Sequence, residues 1–277
     1  MVKNTTYLAI SKIQNSIIDL KKYPKLIRFK CSNLHQMTSI INIPDTLEKL
    51  DCENNMCIEL DGLSTNLIQL NCSKNQIVKL NNLPFGLKYL NCAHNKINNL
   101  EMLPEYLEVL ECGYNRLTRL EDLPLGLKKL NCEHNFITNI DCLPSSLTEL
   151  FCACNCIYKL TSLPNKLYLL DCAKNEIGDI IRLDKLIELE DVDLSNNQIT
   201  GIGIDLSKCV KLKVLNCSYN KIRILPTLPD NLEELHIHSN SLNQMITEIP
   251  SRLEVIGIDK NLISPDISLN NELLILS

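Results

Sequence analysis

The sequence predicts a solenoid, a curved right-handed coil of short repeats. Its concave face should carry a parallel β-sheet, and its convex side should be extended and polyproline-like with little helix. A 20-residue period runs through most of the chain, and the segments 87–106, 107–126 and 127–146 align without a gap. Each period contains one alternation of polar and apolar residues, which is typical of a short strand. Several periods end in Leu-Pro, which disfavours helix on the convex side, where the chain returns to the next strand and which we call the return side.

The repeat unit reads L-x-x-L-x-C-x-x-N-x-I-x-x-L-x-x-L-P-x-x, and its first Leu defines position 1. We predict an N-terminal cap at 1–25, a solenoid of 12 repeats at 26–263 and a C-terminal cap at 264–277. The repeats within 167–211 are longer than the others, and the stretch 199–212 has lost Leu-Pro, so it can hold a helical turn. The repeats start at Leu26, Leu47, Leu67, Leu87, Leu107, Leu127, Leu147, Leu167, Leu189, Leu212, Leu232 and Leu253.

Asparagine recurs at position 9 and is predicted to turn the chain inward. Its side-chain amide can donate and accept at once, so it can satisfy backbone groups in its own turn and in the adjacent repeat. One repeat buries too few aliphatic side chains to offset the entropy of ordering its backbone. Stacking against neighbouring repeats must therefore supply the remaining stability.

Nine of the 14 cysteines occupy position 6, where other repeats carry Leu194, Ile237 and Ile258. A free thiol behaves as a small hydrophobe, so this pattern predicts a buried thiol ladder. Neighbouring parallel strands lie ~4.8 Å apart, which is wider than the ~3.8 Å Cβ separation that a disulfide prefers. We therefore predict that all 14 cysteines are reduced. The ladder consists of Cys31, Cys52, Cys72, Cys92, Cys112, Cys132, Cys152, Cys172 and Cys217.

The bulk properties exclude several classes of function. The net charge is -5, which argues against a nucleic-acid partner. The sequence has no apolar run long enough to span a membrane, and residues 1–20 lack the continuous apolar stretch of a secretory signal. We expect a cytoplasmic protein that is not secreted and has no membrane partner. The sequence has no Gly-rich phosphate loop and no nucleophile elbow, so we expect no enzymatic activity and no cofactor.

The L-P-x-x-L-x-x-L-x-C-x-x-N pattern over about 26–263 resembles the leucine-rich-repeat superfamily, in the short 20-residue form found in bacterial effector proteins. The position-6 Cys, together with a sequence rich in Asn, Ile and Lys, resembles leucine-rich-repeat proteins of giant amoebal DNA viruses. The resemblance implies a leucine-rich-repeat solenoid that binds partner proteins on its concave sheet, in the host cytoplasm if the chain is viral. The effector relatives carry a ubiquitin-ligase domain after their repeats, and we expect none here because the chain leaves no room for it.

Positions 2, 3, 5, 7 and 8 are predicted to face the concave side. Single exposed apolar residues are common on any surface, but clustered aromatic side chains are typical interface anchors. We predict a monomer that binds an unidentified partner protein, with a basic surface because carboxylates surround the apolar residues. The candidate partner-binding residues are Tyr89, Val109, Tyr114, Phe151, Tyr168, Leu169, Glu149, Asp171, Asp191 and Asp193.

Two other functions remain open: a thiol- or zinc-binding protein, and a structural component that packs through its convex face or its ends. The thiol or zinc site would use Cys142, Cys154, Cys156 and His134. A second set of possible ligands is His236 and His238, which alternate along one strand, with Asp259 in the next repeat. We predict no metal centre, and the side chains that could ligate a metal are His134, Cys154, His236 and His238.

Overall fold

The computed structural model describes residues 4–140, 143–160, 162–178, 181–203, 205–259 and 274–276. Short parallel strands, at least one in each repeat, make up nearly all of the regular structure. The fold is a parallel β-solenoid of about 12 turns with almost no helix, as the sequence predicted. The chain divides into two compact units, Met1–Phe136 (unit 1) and Ile137–Ser277 (unit 2).

Unit 1 contains nine strands in two parallel sheets. In chain order they are β1 (Tyr7–Ala9), β2 (Ile17–Asp19), β3 (Arg28–Lys30), β4 (Ser39–Ile41), β5 (Lys49–Asp51), β6 (Gln69–Asn71), β7 (Tyr89–Asn91), β8 (Val109–Glu111) and β9 (Lys129–Asn131). The main sheet has the order β1, β3, β5, β6, β7, β8, β9, and β2 pairs with β4. Since β1 belongs to the predicted N-terminal cap, that segment extends the sheet by one strand.

The described residues of unit 2 form seven strands and one helical turn. In chain order they are β10 (Glu149–Phe151), β11 (Leu169–Asp171), a 3-10 helix (Leu183–Lys185), β12 (Asp191–Asp193), β13 (Val214–Asn216), β14 (Glu234–His236), β15 (Val255–Gly257) and β16 (Leu274–Leu276). Each strand pairs in parallel with the next one along the chain. In the described part of the chain, no helix has the length and apolar character needed to cross a bilayer.

Each repeat strand covers positions 3 to 5, and its side chains alternate between the core and the sheet face, which we define by positions 3 and 5. In β8, Leu110 is fully buried, whereas Val109 and Glu111 are half-buried on the sheet face. The parallel register places equal positions side by side, so Tyr89 lies opposite Val109. The alternation follows from the two-residue period of a strand, and it puts one large aliphatic side chain per strand into the core.

The position-9 asparagine joins each repeat to the one before it. The Asn95 amide nitrogen donates to the carbonyl oxygens of Cys92 in its own repeat and Cys72 in the preceding repeat, each at 3.0 Å. Its amide oxygen accepts the N–H of Ile77, also in the preceding repeat, at 2.9 Å. The predicted role of this residue is therefore confirmed. The same three bonds recur at Asn75, Asn115, Asn135, Asn175, Asn197, Asn220 and Asn240.

The Leu-Pro pair ends in a tight turn that leads into the next repeat. The Pro84 carbonyl accepts the N–H of Leu87 at 3.0 Å, and Pro104 and Leu107 repeat the same bond at 3.0 Å. This is the i to i+3 bond of a β-turn, so the proline carbonyl serves the turn while its ring is buried. The return side is consequently extended and then tightly turned, without the hydrogen-bond ladder of a helix.

The position-6 side chains form the predicted buried ladder. All nine ladder cysteines are 0% exposed, and Leu194, Ile237 and Ile258 at the same position are also 0% exposed. Burial raises the pKa of Cys92 to about 12, because the thiolate would lose its hydration. Thiol and aliphatic side chains therefore serve the same packing purpose at this position.

The longer repeats depart from the prediction in one detail. The helical turn lies at Leu183–Lys185, in the repeat before the stretch 199–212 where it was expected. In that stretch the chain instead forms a turn, in which the Cys209 N–H donates to the Leu206 carbonyl at 2.9 Å. Asp205 in the same stretch forms an isolated parallel β-bridge with Thr227. The prediction placed the helical turn one repeat too late because both repeats lack Leu-Pro and are equally irregular in sequence. Cys142 and most of the predicted C-terminal cap lie outside the described residues.

We expect Asn115→Ala to lower the free energy of unfolding by about 1–3 kcal/mol, because buried groups of two repeats lose their partner. The affected groups are the carbonyls of Cys92 and Cys112 and the N–H of Ile97. Urea denaturation followed by circular dichroism measures the change. Asn98→Ala is the matched control, since Asn98 is exposed, and its effect should stay below about 0.5 kcal/mol. Equal losses in both variants would contradict the bridging role of position 9.

Candidate partner-binding surface

Six of the predicted partner-binding residues lie on the sheet face of three adjacent strands in unit 2, β10 to β12. In the row from position 3, Leu169 lies between two carboxylates, and in the row from position 5 Phe151 lies next to one. Every apolar side chain on this part of the face therefore has an acidic neighbour. The position-3 row is Glu149, Leu169 and Asp191, and the position-5 row is Phe151, Asp171 and Asp193.

Two neighbouring aspartates of this face differ in their surroundings. One carboxylate oxygen of Asp193 accepts the N–H of Ser195 at 2.8 Å, and the other accepts the side-chain amide of Asn216 at 3.1 Å. In the described part of the chain, Asp191 accepts no comparable bond. Although Asp191 is exposed, partial loss of hydration on the sheet raises its pKa, and the carboxylates of Asp193 and Glu234 raise it further. Asp193 thus stabilises its own turn, whereas Asp191 costs stability when it is ionised.

Tyr168 lies at position 2, at the edge of the sheet face of unit 2. Its hydroxyl donates a short hydrogen bond to the carboxylate of Glu149 in the preceding repeat. This bond raises the pKa of Tyr168 to about 12, because the phenolate would lose the bond and face a carboxylate. Tyr168 remains 37% exposed, so its ring is available to a partner even though its hydroxyl is engaged.

In unit 1, Tyr89 and Val109 lie side by side on the sheet face. Both are half-buried, and burial raises the pKa of Tyr89. Beyond Val109, the ammonium group of Lys129 lies 3.1 Å from the carboxylate of Glu111. This part of the sheet face therefore pairs its charges internally and presents a small apolar row.

Tyr114 lies elsewhere, in the turn that follows β8. Its ring stacks between His94 and His134, with centroid distances of 4.2 and 4.1 Å and interplanar angles of 13° and 18°. All three residues occupy position 8, and their φ angles of 50–55° are left-handed. The stack was not predicted, although the 20-residue spacing of the three rings is visible in the sequence. The ring of His134, one of the candidate metal ligands, therefore packs against Tyr114.

The second set of candidate ligands is arranged by a glycine. A Cβ at Gly257 would lie 2.8 Å from Nδ1 of His236 and 3.2 Å from Cδ2 of His238, so both rings rest over this backbone. The carboxylate of Asp259 accepts the N–H of Ser239 at 3.1 Å. Among the described residues, no group of three or more His, Cys, Asp or Glu side chains converges as a metal site would require.

The described cysteines are free thiols of two kinds. Those of the ladder are buried, whereas Cys154 and Cys156 are half-exposed. Cys154 lies at position 8 with φ 55°, and Cys156 follows two residues later. The run Cys152-x-Cys154-x-Cys156 thus points its first thiol into the core and leaves the other two accessible.

Known proteins share this architecture. A family profile described as Leucine Rich repeats (2 copies) matches residues 187–230. The structure of YopM from Yersinia enterocolitica WA-314 is 28% identical and aligns over 85% of this chain and 60% of that chain, with a TM-score of 0.64. The functional domain of InlJ from Listeria monocytogenes, described as including a cysteine ladder, is 24% identical over 91% of this chain and 62% of that chain, with a TM-score of 0.72.

The fold is a leucine-rich-repeat solenoid. YopM from Yersinia pestis, described as a leucine-rich effector protein, is 24% identical and aligns over 98% of this chain and 89% of that chain, with a TM-score of 0.68. The solenoid spans 60% and 62% of the lengths of the first two structures. No curated protein sequence matches the chain.

We expect alkylation of the native solenoid to modify Cys154 and Cys156 first. The thiolate is the reactive form, and the ladder thiols are both buried and, as at Cys92 and Cys112, raised in pKa. Brief treatment with iodoacetamide at neutral pH, followed by peptide mass spectrometry, measures the pattern. The denatured protein is the control, in which all cysteines should react alike. Rapid modification of Cys92 in the native protein would contradict the buried ladder.

We expect Asp191→Asn to raise the melting temperature at about pH 7. Because the pKa of Asp191 is raised in the folded chain, its ionised carboxylate costs stability above that pKa. The cost vanishes below the ordinary aspartate pKa of 3.8, where the carboxyl is protonated in both the folded and the unfolded chain. The gain from the substitution should therefore shrink as the pH falls toward that value.

Calorimetry at about pH 7 and about pH 3.5 measures this difference. The matched control is Asp230→Asn, which removes the same charge from an exposed position on the return side. It should leave the melting temperature nearly unchanged at both values. A lower melting temperature for Asp191→Asn at neutral pH would show that its carboxylate stabilises the fold.

Proposed function

We propose that this solenoid is a non-catalytic protein-binding module that recognises a basic partner protein on the sheet face of unit 2. The proposal rests on the placement of two apolar side chains. Phe151 and Leu169 occupy positions 5 and 3, which the fold does not bury, and they lie beside Asp171 and Asp191. Half-buried apolar side chains among carboxylates provide contact area and orientation together. Proteins of this fold generally bind other proteins and generally act as non-enzymatic scaffolds, which supports the coarse assignment.

The charges of this face favour a partner with lysines or arginines. Asp191 has its carboxylate beside those of Asp193 and Glu234, and an approaching cation would relieve that repulsion. Burial of the same face against a nucleic-acid backbone would bring like charges together, so we propose no nucleic-acid partner. Tyr168 extends the contact area at the edge of the face, since its ring is partly exposed.

Tyr89 and Val109 form an apolar row of the same kind on the sheet face of unit 1. We assign them to partner contact as well, together with the exposed ring of Tyr114 in the neighbouring turn. Their neighbours Glu111 and Lys129 pair with each other, so this contact would be mainly apolar. The charged part of recognition is accordingly assigned to unit 2.

We also propose that the chain acts in the cytoplasm, and in the host cytoplasm if it derives from a giant amoebal DNA virus. Two features support this: the position-6 cysteines, which are free thiols where described, and the richness in Asn, Ile and Lys. An oxidising compartment favours disulfides, whereas the cytosol keeps thiols reduced. A zinc- or thiol-based function has less support, because the His134 ring stacks on Tyr114 and the described ligands do not converge.

We expect Phe151→Ala to weaken binding of the partner by about 1–4 kcal/mol, as is typical of an aromatic anchor. The partner is first captured from the native cell with the wild-type protein, and surface plasmon resonance then measures the affinity. Phe136→Ala is the matched control, since Phe136 is 57% exposed at position 10, outside the sheet face. The melting temperature of each variant separates a loss of binding from a loss of folding.

Asp191→Lys should mainly slow association, and its effect should shrink at high salt because screening weakens long-range attraction. Asp191 is chosen over Asp193, whose carboxylate also holds Ser195 and Asn216 in place. If both Phe151→Ala and Asp191→Lys bind the partner like the wild type, the sheet face of unit 2 is not the binding surface.

A further inference from the structure

Position 16 adopts a left-handed backbone conformation in part of unit 1, and one of the residues found there is a methionine. In four consecutive repeats of unit 1 this position is occupied by Gly62 (φ 63°), Asn82 (φ 53°), Met102 (φ 54°) and Asp122 (φ 50°). Glycine, asparagine and aspartate adopt this conformation readily, whereas a methionine does so at a steric cost. The side chain of Met102 is also 93% exposed, so packing within the unit does not offset this cost.

Other apolar side chains on the same return face are exposed beside Met102. Phe85 is 62% exposed and Tyr106 is 54% exposed, and their rings meet edge to face with centroids 5.1 Å apart. Phe85 and Met102 line one groove, which also includes Leu83. We call Phe85, Met102 and Tyr106 the return patch. A strained and exposed methionine next to two exposed aromatic rings serves binding better than folding.

The charges around the return patch are of both signs. Lys79 and Arg116 line the groove with Glu101. Arg119 lies 3.4 Å from Glu121, and the side chains of both are about two-thirds exposed. A two-fold symmetric contact places a surface against itself, so each charge needs its opposite on that same surface. The return patch meets this requirement, whereas a single-sign acidic surface would repel its own copy.

We propose that the return patch is the contact through which two copies of this chain form a symmetric dimer. The three side chains expose roughly 400 Å² of largely apolar area per copy. A stable interface buries about 800 Å² per partner, and its centre is the most apolar part. The patch therefore supplies about half of the required area, and the mixed charges around it form the polar rim. This contact is independent of the sheet face and replaces the sequence-based expectation of a monomer.

Light scattering coupled to size-exclusion chromatography tests the proposal on the full chain at concentrations of about 1–100 µM. The wild type should approach twice the chain mass of 31.5 kDa at the upper end. Met102→Asn should weaken self-association at least ~10-fold, which corresponds to a loss of about 1.4 kcal/mol of binding free energy. At protein concentrations too low for dimerisation, the melting temperature of this variant should not fall, because Asn82 occupies the same backbone position at φ 53°.

Met56→Asn is the matched control, because Met56 is 50% exposed in unit 1 but lies at position 10, outside the return patch. It should dimerise like the wild type. Phe85→Ser provides a second variant that removes apolar area from the patch without changing a left-handed residue. A wild type that keeps the mass of one chain at 100 µM would overturn the proposal. So would a dimer that persists unchanged in both Met102→Asn and Phe85→Ser.

Discussion

The buried asparagine amide at position 9 is the interaction on which the rest of the structure depends. A single repeat has too small a core to fold alone, so its stability must come from its neighbours. The amide of Asn95 bonds to Cys92 within its repeat and to Cys72 and Ile77 in the repeat before it. Because those groups are buried and would otherwise be unpaired, the bonds fix the register between repeats as well as adding to stability. The strands, the thiol ladder and the proline turns all follow that register.

Most of the fold could be predicted from the sequence because the repeats show which residue types are found at each equivalent position. Substitution of Cys by Leu194 or Ile237 identified position 6 as a core site, and both side chains are fully buried. Contacts that depend on side-chain rotamers or on rare backbone conformations could not be read in this way. Tyr114 occupies position 8, which is predicted to face the concave side, but its φ is left-handed and its ring stacks between two histidines. The candidate surface was therefore predictable strand by strand, and unpredictable in the turns.

Two surface residues stand out because they cost stability without serving the repeat. Asp191 is an exposed carboxylate beside two others, and Met102 occupies a left-handed position that the adjacent repeats fill with Gly, Asn or Asp. The fold would accept Asn at either position with less strain or less repulsion. Such residues are informative in a repeat protein, since the equivalent positions of other repeats show what folding alone requires. They lie on different faces of different units, and so they point to two separate contacts.

The direction of the asparagine bonds gives the array a polarity. In the part of the chain that the structure describes, the position-9 amides reach toward the repeat that precedes them. The first of the series, Asn55, has a buried side-chain oxygen with no hydrogen-bond partner among the described residues. Asn115 makes the same bonds to the repeat before it as Asn95 and Asn135 make to the repeats before them. Removal or duplication of a whole 20-residue block would therefore join equivalent groups across the new junction. The gene for such a chain can change its number of repeats by unequal recombination, and the area available for partners can grow or shrink without the invention of a new fold.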